Sequence, residues 1–148
     1  MRAQELAEEF PVVTSGSSAL DAFRLMADRR LPGLVVTDAN GKPTTILSAS
    51  QAVQMLLPGY VKDDPSLAGV LSESMADHIC DAIGDKTVAS VLPKRLPEMP
   101  SVKYDDNIVE VAAAMARHRA PLVAVVSHGR LIGVITASRL LEFALSSK

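Results

Sequence analysis

Hydrophobic positions along this chain follow two rhythms in succession, and the succession occurs twice. Leu20, Phe23, Met26 and Ala27 fall at i, i+3, i+6 and i+7 behind Ser17 and Ser18, which predicts an amphipathic helix capped by one of those serines. The continuous apolar run GLVVT at 33–37 follows and predicts a strand covered on both faces. Asn40-Gly41 predicts a hairpin with a type I′ turn, whose two central positions both need φ > 0. TTILS at 44–48 is the returning strand, and a closing helix follows it. A short extended piece, Val12-Val13, stands in front.

The second half repeats this order. Asp106 or Asn107 caps a helix that carries Ile108, Val111, Ala112 and Met115, and LVAVV at 122–126 and LIGVIT at 131–136 are its strands. Ser101-Val102 is the leading piece. The copies align at an offset of 89, which falls to 88 after the hairpin because DANGK has one residue more than SHGR. Pro32 thus matches Pro121, Gly41 matches Gly129, and Ser48 matches Thr136. A unit of about 50 residues is too small to close a core alone. The copies, residues 1–57 and 91–148, are therefore expected to pack on each other through their sheets about a pseudo-two-fold axis. Between them, residues 58–90 begin with the breaker Pro58-Gly59. Asp64-Pro65 then resembles an N-cap with proline in the first helical position. Leu67, Leu71, Met75, Ile79 and Ile83 follow at every fourth position up to Gly84, which predicts a helical insert that wraps the body or joins a partner.

Composition removes several function classes. Aliphatic residues dominate a hydrophobic share of 48%, enough for a core. Five aromatic residues and a net charge of −2 argue against a base-stacking or basic nucleic-acid surface. Cys80 is the single cysteine, so no internal disulfide forms and a reducing, cytoplasmic setting is expected. The start MRAQELAEEF lacks the apolar centre of a signal peptide, and no run approaches the roughly 20 apolar residues of a membrane span. His78 and Cys80, two apart on a helix, point about 200° away from each other. His118 and His128 have no cluster of ligands beside them, so no metal is predicted. There is no Gly-x-Ser-x-Gly elbow and no Cys–His pairing, and an enzyme is not expected. ANGK at 39–42 lacks the spaced glycine and the Ser/Thr of a phosphate loop.

Taken together, the two copies resemble a pair of cystathionine β-synthase (CBS) domains, a Bateman module. The likeness is clearest at HGRLIGVITASRLLEFAL (128–145), which is similar to the family's Gly-Arg-Leu-x-Gly-x-x-Thr-x-x-Asp ending. It implies an α/β fold of two β-α-β-β-α domains stacked through their sheets, with two clefts and frequent dimerisation into a disc. It also implies binding of an adenine nucleotide of the AMP, ADP or ATP kind, the Thr/Ser and the Asp three residues later holding phosphate and ribose. Here the hydroxyl is kept as Ser48 and Thr136, while Gln51 and Arg139 stand at the Asp positions. The family's glycine is kept as Gly133 and replaced by Thr45. Arginine donates only, so Arg139 would clamp a phosphate or carboxylate rather than accept from ribose.

A small anionic ligand is therefore expected near Thr136, Ser138, Arg139, Ser101 and Pro121, and less strongly near Ser48 and Gln51. On this reading Arg139→Ala removes ligand stabilisation and Gln51→Ala spares it. Plainer readings stand beside these. Ser48 and Thr136 are helix N-caps, Arg139 pairs with Glu142, Ser101 is an ordinary loop residue, and Pro32 and Pro121 rigidly lead into strands. The chain as a whole reads as a regulatory module acting through an effector protein that the sequence does not identify. A homodimer would bury the apolar helix faces at Leu20, Phe23 and Ala27 and at Ala112, Ala113 and Ala116. The alternative is a ligand-free structural or partner-binding dimerisation module.

Overall fold

The computed structural model describes residues 1–55, 83–96 and 98–146. In chain order the elements are α1 (Ala3–Leu6), β1 (Val12–Thr14), α2 (Ala19–Arg29), β2 (Gly33–Thr37), β3 (Pro43–Ser48) and α3 (Ala49–Met55). They are followed by α4 (Val88–Val91), β4 (Ser101–Lys103), α5 (Ile108–His118), β5 (Leu122–Ser127), β6 (Arg130–Thr136) and α6 (Ala137–Ser146). Each copy forms a three-stranded sheet, in the orders β1-β2-β3 and β4-β5-β6. The first pair in each sheet is parallel and the second antiparallel. The α/β fold read from the repeat is the one observed.

Local chemistry sets the helix limits. Of the two candidate serines, Ser18 caps α2, its hydroxyl accepting from the Asp21 N–H at 3.2 Å. Asn107 caps α5 reciprocally with Glu110, each side chain accepting from the other's backbone N–H at 2.9 Å. The helices end on left-handed arginines, Arg30 (φ 53°) and Arg119 (φ 49°). The hairpins correct one expectation. Asn40-Gly41 does not form the type I′ turn, since only Gly41 of the two has a positive φ, at 82°. The extra residue there makes a wider loop in which the Asp38 carboxylate accepts from the N–H groups of Asn40 and Lys42. The two-residue turn with both φ positive is His128-Gly129, at 53° and 78°.

The sheets meet face to face. Val35, Ile46, Leu122 and Val134 form the core between them, with Phe10, Met99 and Leu131 around it. The outer face of the first sheet packs Val13, Leu34, Val36 and Leu47 against Ala22 and Met26 of α2. In the second, Val102, Val123, Val125 and Ile135 pack against Val111 and Met115 of α5. Helices thus cover the two outer faces and leave the inner faces to each other.

Two short arms cross between the copies. Ala3 and Leu6 of α1 are fully buried in the core of the second copy. Their backbone binds there as well, Ala3 N–H donating to the Asp106 carbonyl at 2.8 Å and Gln4 N–H to that of Tyr104 at 2.9 Å. Val88 of α4 is buried in the first copy's core, its N–H donating to the Ser17 carbonyl at 2.8 Å, and Ala89 N–H donates to that of Ser15 at 2.9 Å. The two sets of bonds are equivalent, because Ser15 and Ser17 match Tyr104 and Asp106. Residues 3–8 therefore complete the second copy, across the division drawn from the repeat. The helix predicted over the insert falls, for residues 56–82, outside the described residues. Ile83, at its end, is buried.

Candidate functional site

Each copy's last strand runs into its closing helix through the same hydroxyl cap. Ser48 Oγ accepts from the Gln51 N–H at 3.2 Å, and Gln51 Oε1 accepts from the Ser48 N–H at 2.9 Å. This box uses the Gln51 carbonyl oxygen, whereas its amide nitrogen makes no hydrogen bond among the described residues. Thr136 Oγ1 accepts from the Arg139 N–H at 3.1 Å and lies 3.2 Å from Ser138 Oγ. Both hydroxyls therefore do the capping work of the plainer reading.

The surroundings of the two turns differ. Arg139 Nε lies 3.3 Å from a Glu8 carboxylate oxygen and 3.5 Å from the Leu6 carbonyl, both on the arm. Its Nη1 is 3.9 Å from Glu142, and its guanidinium stacks over the Phe143 ring at 5.0 Å. The guanidinium expected to clamp an anion is thus already engaged on three sides. Among the described residues Gln51 has no such competitor. It lines a cleft of about 490 Å³ between the copies, with Pro32, Thr45, Ile46, Ser48 and Ser50 on its own side. The opposite wall is Glu98, Pro100, His118, Arg119, Ala120 and Pro121 from the second copy. Arg119 forms no ion pair among the described residues. Glu98 pairs with Arg117 at 3.7 Å, both side chains about 70% exposed, and such a pair contributes little.

Backbone groups complete this cleft. β3 is one of the two edge strands of its sheet. Val134, the counterpart of Ile46 in β6, turns its N–H and C=O outward, where they bond Glu8 in both directions at 2.9 and 2.8 Å. The registers Val35↔Ile46 and Ala124↔Val134 are equivalent, so Ile46 also turns its N–H and C=O outward. Among the described residues no strand or arm pairs with them. The cleft therefore presents a donor and an acceptor from one residue, beside two hydroxyls, an amide nitrogen and a guanidinium with no ion-pair partner among the described residues.

A smaller cleft, of about 270 Å³, lies between Glu9, Phe10 and Val12 of one copy and Leu131, Ile132 and Gly133 of the other. It includes none of residues 136–139. The structure thus divides the expected site residues. Ser48, Gln51 and Pro121 share the larger cleft, while Thr136, Ser138 and Arg139 lie at the other turn. Ser101 is exposed on β4 next to Pro100. The family motif does not include His118, Arg119 or the Ile46 backbone. A trace of them was visible, since basic pairs precede the matched prolines in RRLP (29–32) and HRAP (118–121). Among the described residues no three His, Cys, Asp or Glu side chains gather as a metal would require, and no helix is long and apolar enough to cross a membrane. His78 and Cys80 lie outside the described residues.

The CBS-domain family profile matches residues 3–57 and 89–146. The crystal structure of a CBS domain-containing protein of unknown function from Kribbella flavida is 53% identical, with a TM-score of 0.86 over 98% of this chain and 99% of that one. CBSX2, solved in complex with AMP, is 20% identical, with a TM-score of 0.69 over 98% of this chain and 96% of its own. The CBS domain pair of protein MJ0100, solved with 5′-methylthioadenosine and S-adenosyl-L-methionine, is 16% identical, with a TM-score of 0.70 over 100% and 98%. No curated protein matches the chain.

Proposed function

We propose, from the premise that this chain belongs to the CBS-domain family and carries two such domains in tandem, that it is a regulatory module binding an adenine nucleotide in the cleft between Ser48 and Pro121. The observation that carries this reading is the outward N–H and C=O of Ile46 at the open β3 edge. A neighbouring donor and acceptor on a strand match the acceptor–donor edge of adenine, while Pro32, Pro100 and Pro121 give the base apolar walls. Ser48, Ser50 and the Gln51 amide suit ribose hydroxyls. Arg119 supplies the cationic side for phosphate, which it can bind bidentately, with the His118 ring beside it as a further hydrogen-bonding group. A volume near 490 Å³ suits a ligand of this size. The adenosine compounds bound by CBSX2 and protein MJ0100 support the same class. No covalent step is assigned to the cleft. The module reports its occupancy to an effector protein, in a reducing cytoplasmic setting that the single Cys80 fits.

Thermal unfolding with AMP, ADP, ATP, 5′-methylthioadenosine and S-adenosyl-L-methionine tests this. At 100 times its dissociation constant a ligand adds about 2.7 kcal/mol of stability. For a chain of this size that raises Tm by roughly 5–10 °C. No rise with any of the five would refute the nucleotide reading.

A second reading, dimerisation without a ligand, is favoured by the use of both turn hydroxyls as caps and of Arg139 in ion pairs. The two readings share a homodimer. Val109, Ala112, Ala113 and Ala116 lie exposed at i, i+3, i+4 and i+7 on α5, Val109 at 72%. Leu141 and Leu145 stand exposed on α6. Small side chains allow close helix approach, and two-fold pairing buries such a stripe on both chains. Light scattering is expected to give the mass of two chains, and Ala113→Glu the mass of one. A single-chain mass for the unaltered protein at high micromolar concentration would refute the dimer.

A further inference from the structure

The two arms are built alike and end differently. Both helices of the arms close on an extended C-cap, Ala7 (φ −63°, ψ 135°) and Leu92 (φ −76°, ψ 151°), whose N–H bonds back to Ala3 and Val88. The next residues are therefore counterparts, Glu8 and Pro93. Glu8 uses its N–H and C=O on Val134 and its carboxylate on Arg139. Proline has no N–H to give, so Pro93 cannot form the equivalent two-way bridge to Ile46.

The strand edges differ in the same sense. A Cβ on Gly133 would lie 2.8 Å from Ala7 Cβ and 3.0 Å from the Glu8 carbonyl oxygen. Only glycine lets the arm lie this close. The first copy has Thr45 at that position, buried at 2% exposure, and an arm lying as close as Ala7 does to Gly133 would meet its Cβ. The connections differ too. Five residues join Leu6 to Val12, whereas nine join Val91 to Ser101, so the second connection has four residues of slack before it must enter its sheet.

Resting on the nucleotide reading above, we infer that Glu8 and Gly133 seal the second copy's sheet edge against ligand, while Pro93 and Thr45 hold the first open, so that the chain takes one adenine nucleotide rather than two. Glu8 acts as a built-in occupant, its backbone taking the place of a base edge and its carboxylate that of an anion at Arg139. The asymmetry lies in the arms and edges more than in the turns, which share the hydroxyl cap.

Calorimetric titration with AMP and amide hydrogen exchange test this together. The unaltered chain is expected to bind one AMP, with the Val134 amide protected and the Ile46 amide exchanging readily until AMP is added. Glu8→Pro, which copies Pro93 into the first arm, and separately Gly133→Thr, which copies Thr45, are each expected to lose Val134 protection and bind a second AMP. The reverse pair, Pro93→Glu with Thr45→Gly, is expected to weaken the original site at least tenfold. Circular dichroism establishes that each variant is folded, and exchange in the unaltered protein needs no variant. An Ile46 amide as protected as that of Val134 in the ligand-free chain would overturn the inference. So would folded variants that lose Val134 protection and still bind one AMP. If no protein in the set binds AMP while the exchange pattern is as expected, the sealed and open edges stand and the nucleotide reading falls.

Discussion

Leu6→Ala is expected to destabilise the whole chain by about 2–5 kcal/mol, although the residue sits near the N-terminus. Terminal residues usually fray at little cost. Leu6 is instead fully buried in the second copy's core, beside Val111, Val123 and Ile135. Its deletion leaves a cavity among residues more than 100 positions away in sequence. Domains of this size are stable by only about 5–15 kcal/mol, so a large share of the total is at stake. Urea denaturation followed by far-UV circular dichroism would show a lowered midpoint, and Tm would fall by roughly 5–20 °C. Leu145→Ala provides the comparison, since that leucine is 67% exposed and its loss should change stability by less than about 0.5 kcal/mol in the isolated chain. A Leu6 variant no weaker than the Leu145 variant would mean that the arm contributes nothing to the fold.

Arg119→Ala is expected to weaken AMP binding by about 10- to 100-fold, the loss of a charge-assisted hydrogen bond of about 1.5–3 kcal/mol. Arg139→Ala should change it less than about threefold. This ordering reverses the one the sequence suggests, where Arg139 stands in the family motif and Arg119 does not. The reason is competition. Arg139 is engaged by Glu8, Glu142 and Phe143, and removing it leaves the backbone of the arm in place over the β6 edge. Arg119 faces the open cleft with no ion-pair partner among the described residues. Calorimetric titration of the two variants decides the matter. A large loss with Arg139→Ala and none with Arg119→Ala would assign the ligand to the second turn.

Sequence reading was most reliable where the cause is local. The periodicity of α2 and α5, the apolar runs of β2 and β5, and the caps at Ser18 and Asn107 each depend on residues within a few positions of one another. They could be read from letters alone. The repeat could be read for the same reason, since identical local elements recur at a fixed offset. The hairpin at Asn40-Gly41 forms, but not with a type I′ turn, because one extra residue lets Asp38 close a wider loop; the two-residue turn with both φ positive is His128-Gly129.

The site was only half legible. The strand-to-helix turns at Ser48 and Thr136 were found, but they are chemically alike, and which one faces an open cleft depends on what lies across from each. That depends on Glu8 meeting Val134 from 126 positions away, and on Arg119 lining the same cleft as Ser48. Neither juxtaposition leaves a periodic trace. The arms were hidden for a further reason. Glu8 matches Pro93 at an offset of 85, not 89, because four extra residues follow Pro93 and break the register. The sequence by itself determined the two copies, their strands and helices, and the hydroxyl caps, because these follow from neighbours along the chain. Only the tertiary structure decided which sheet edge the first arm covers, because that choice is made by a buried arm and a glycine brought together across the whole length of the fold.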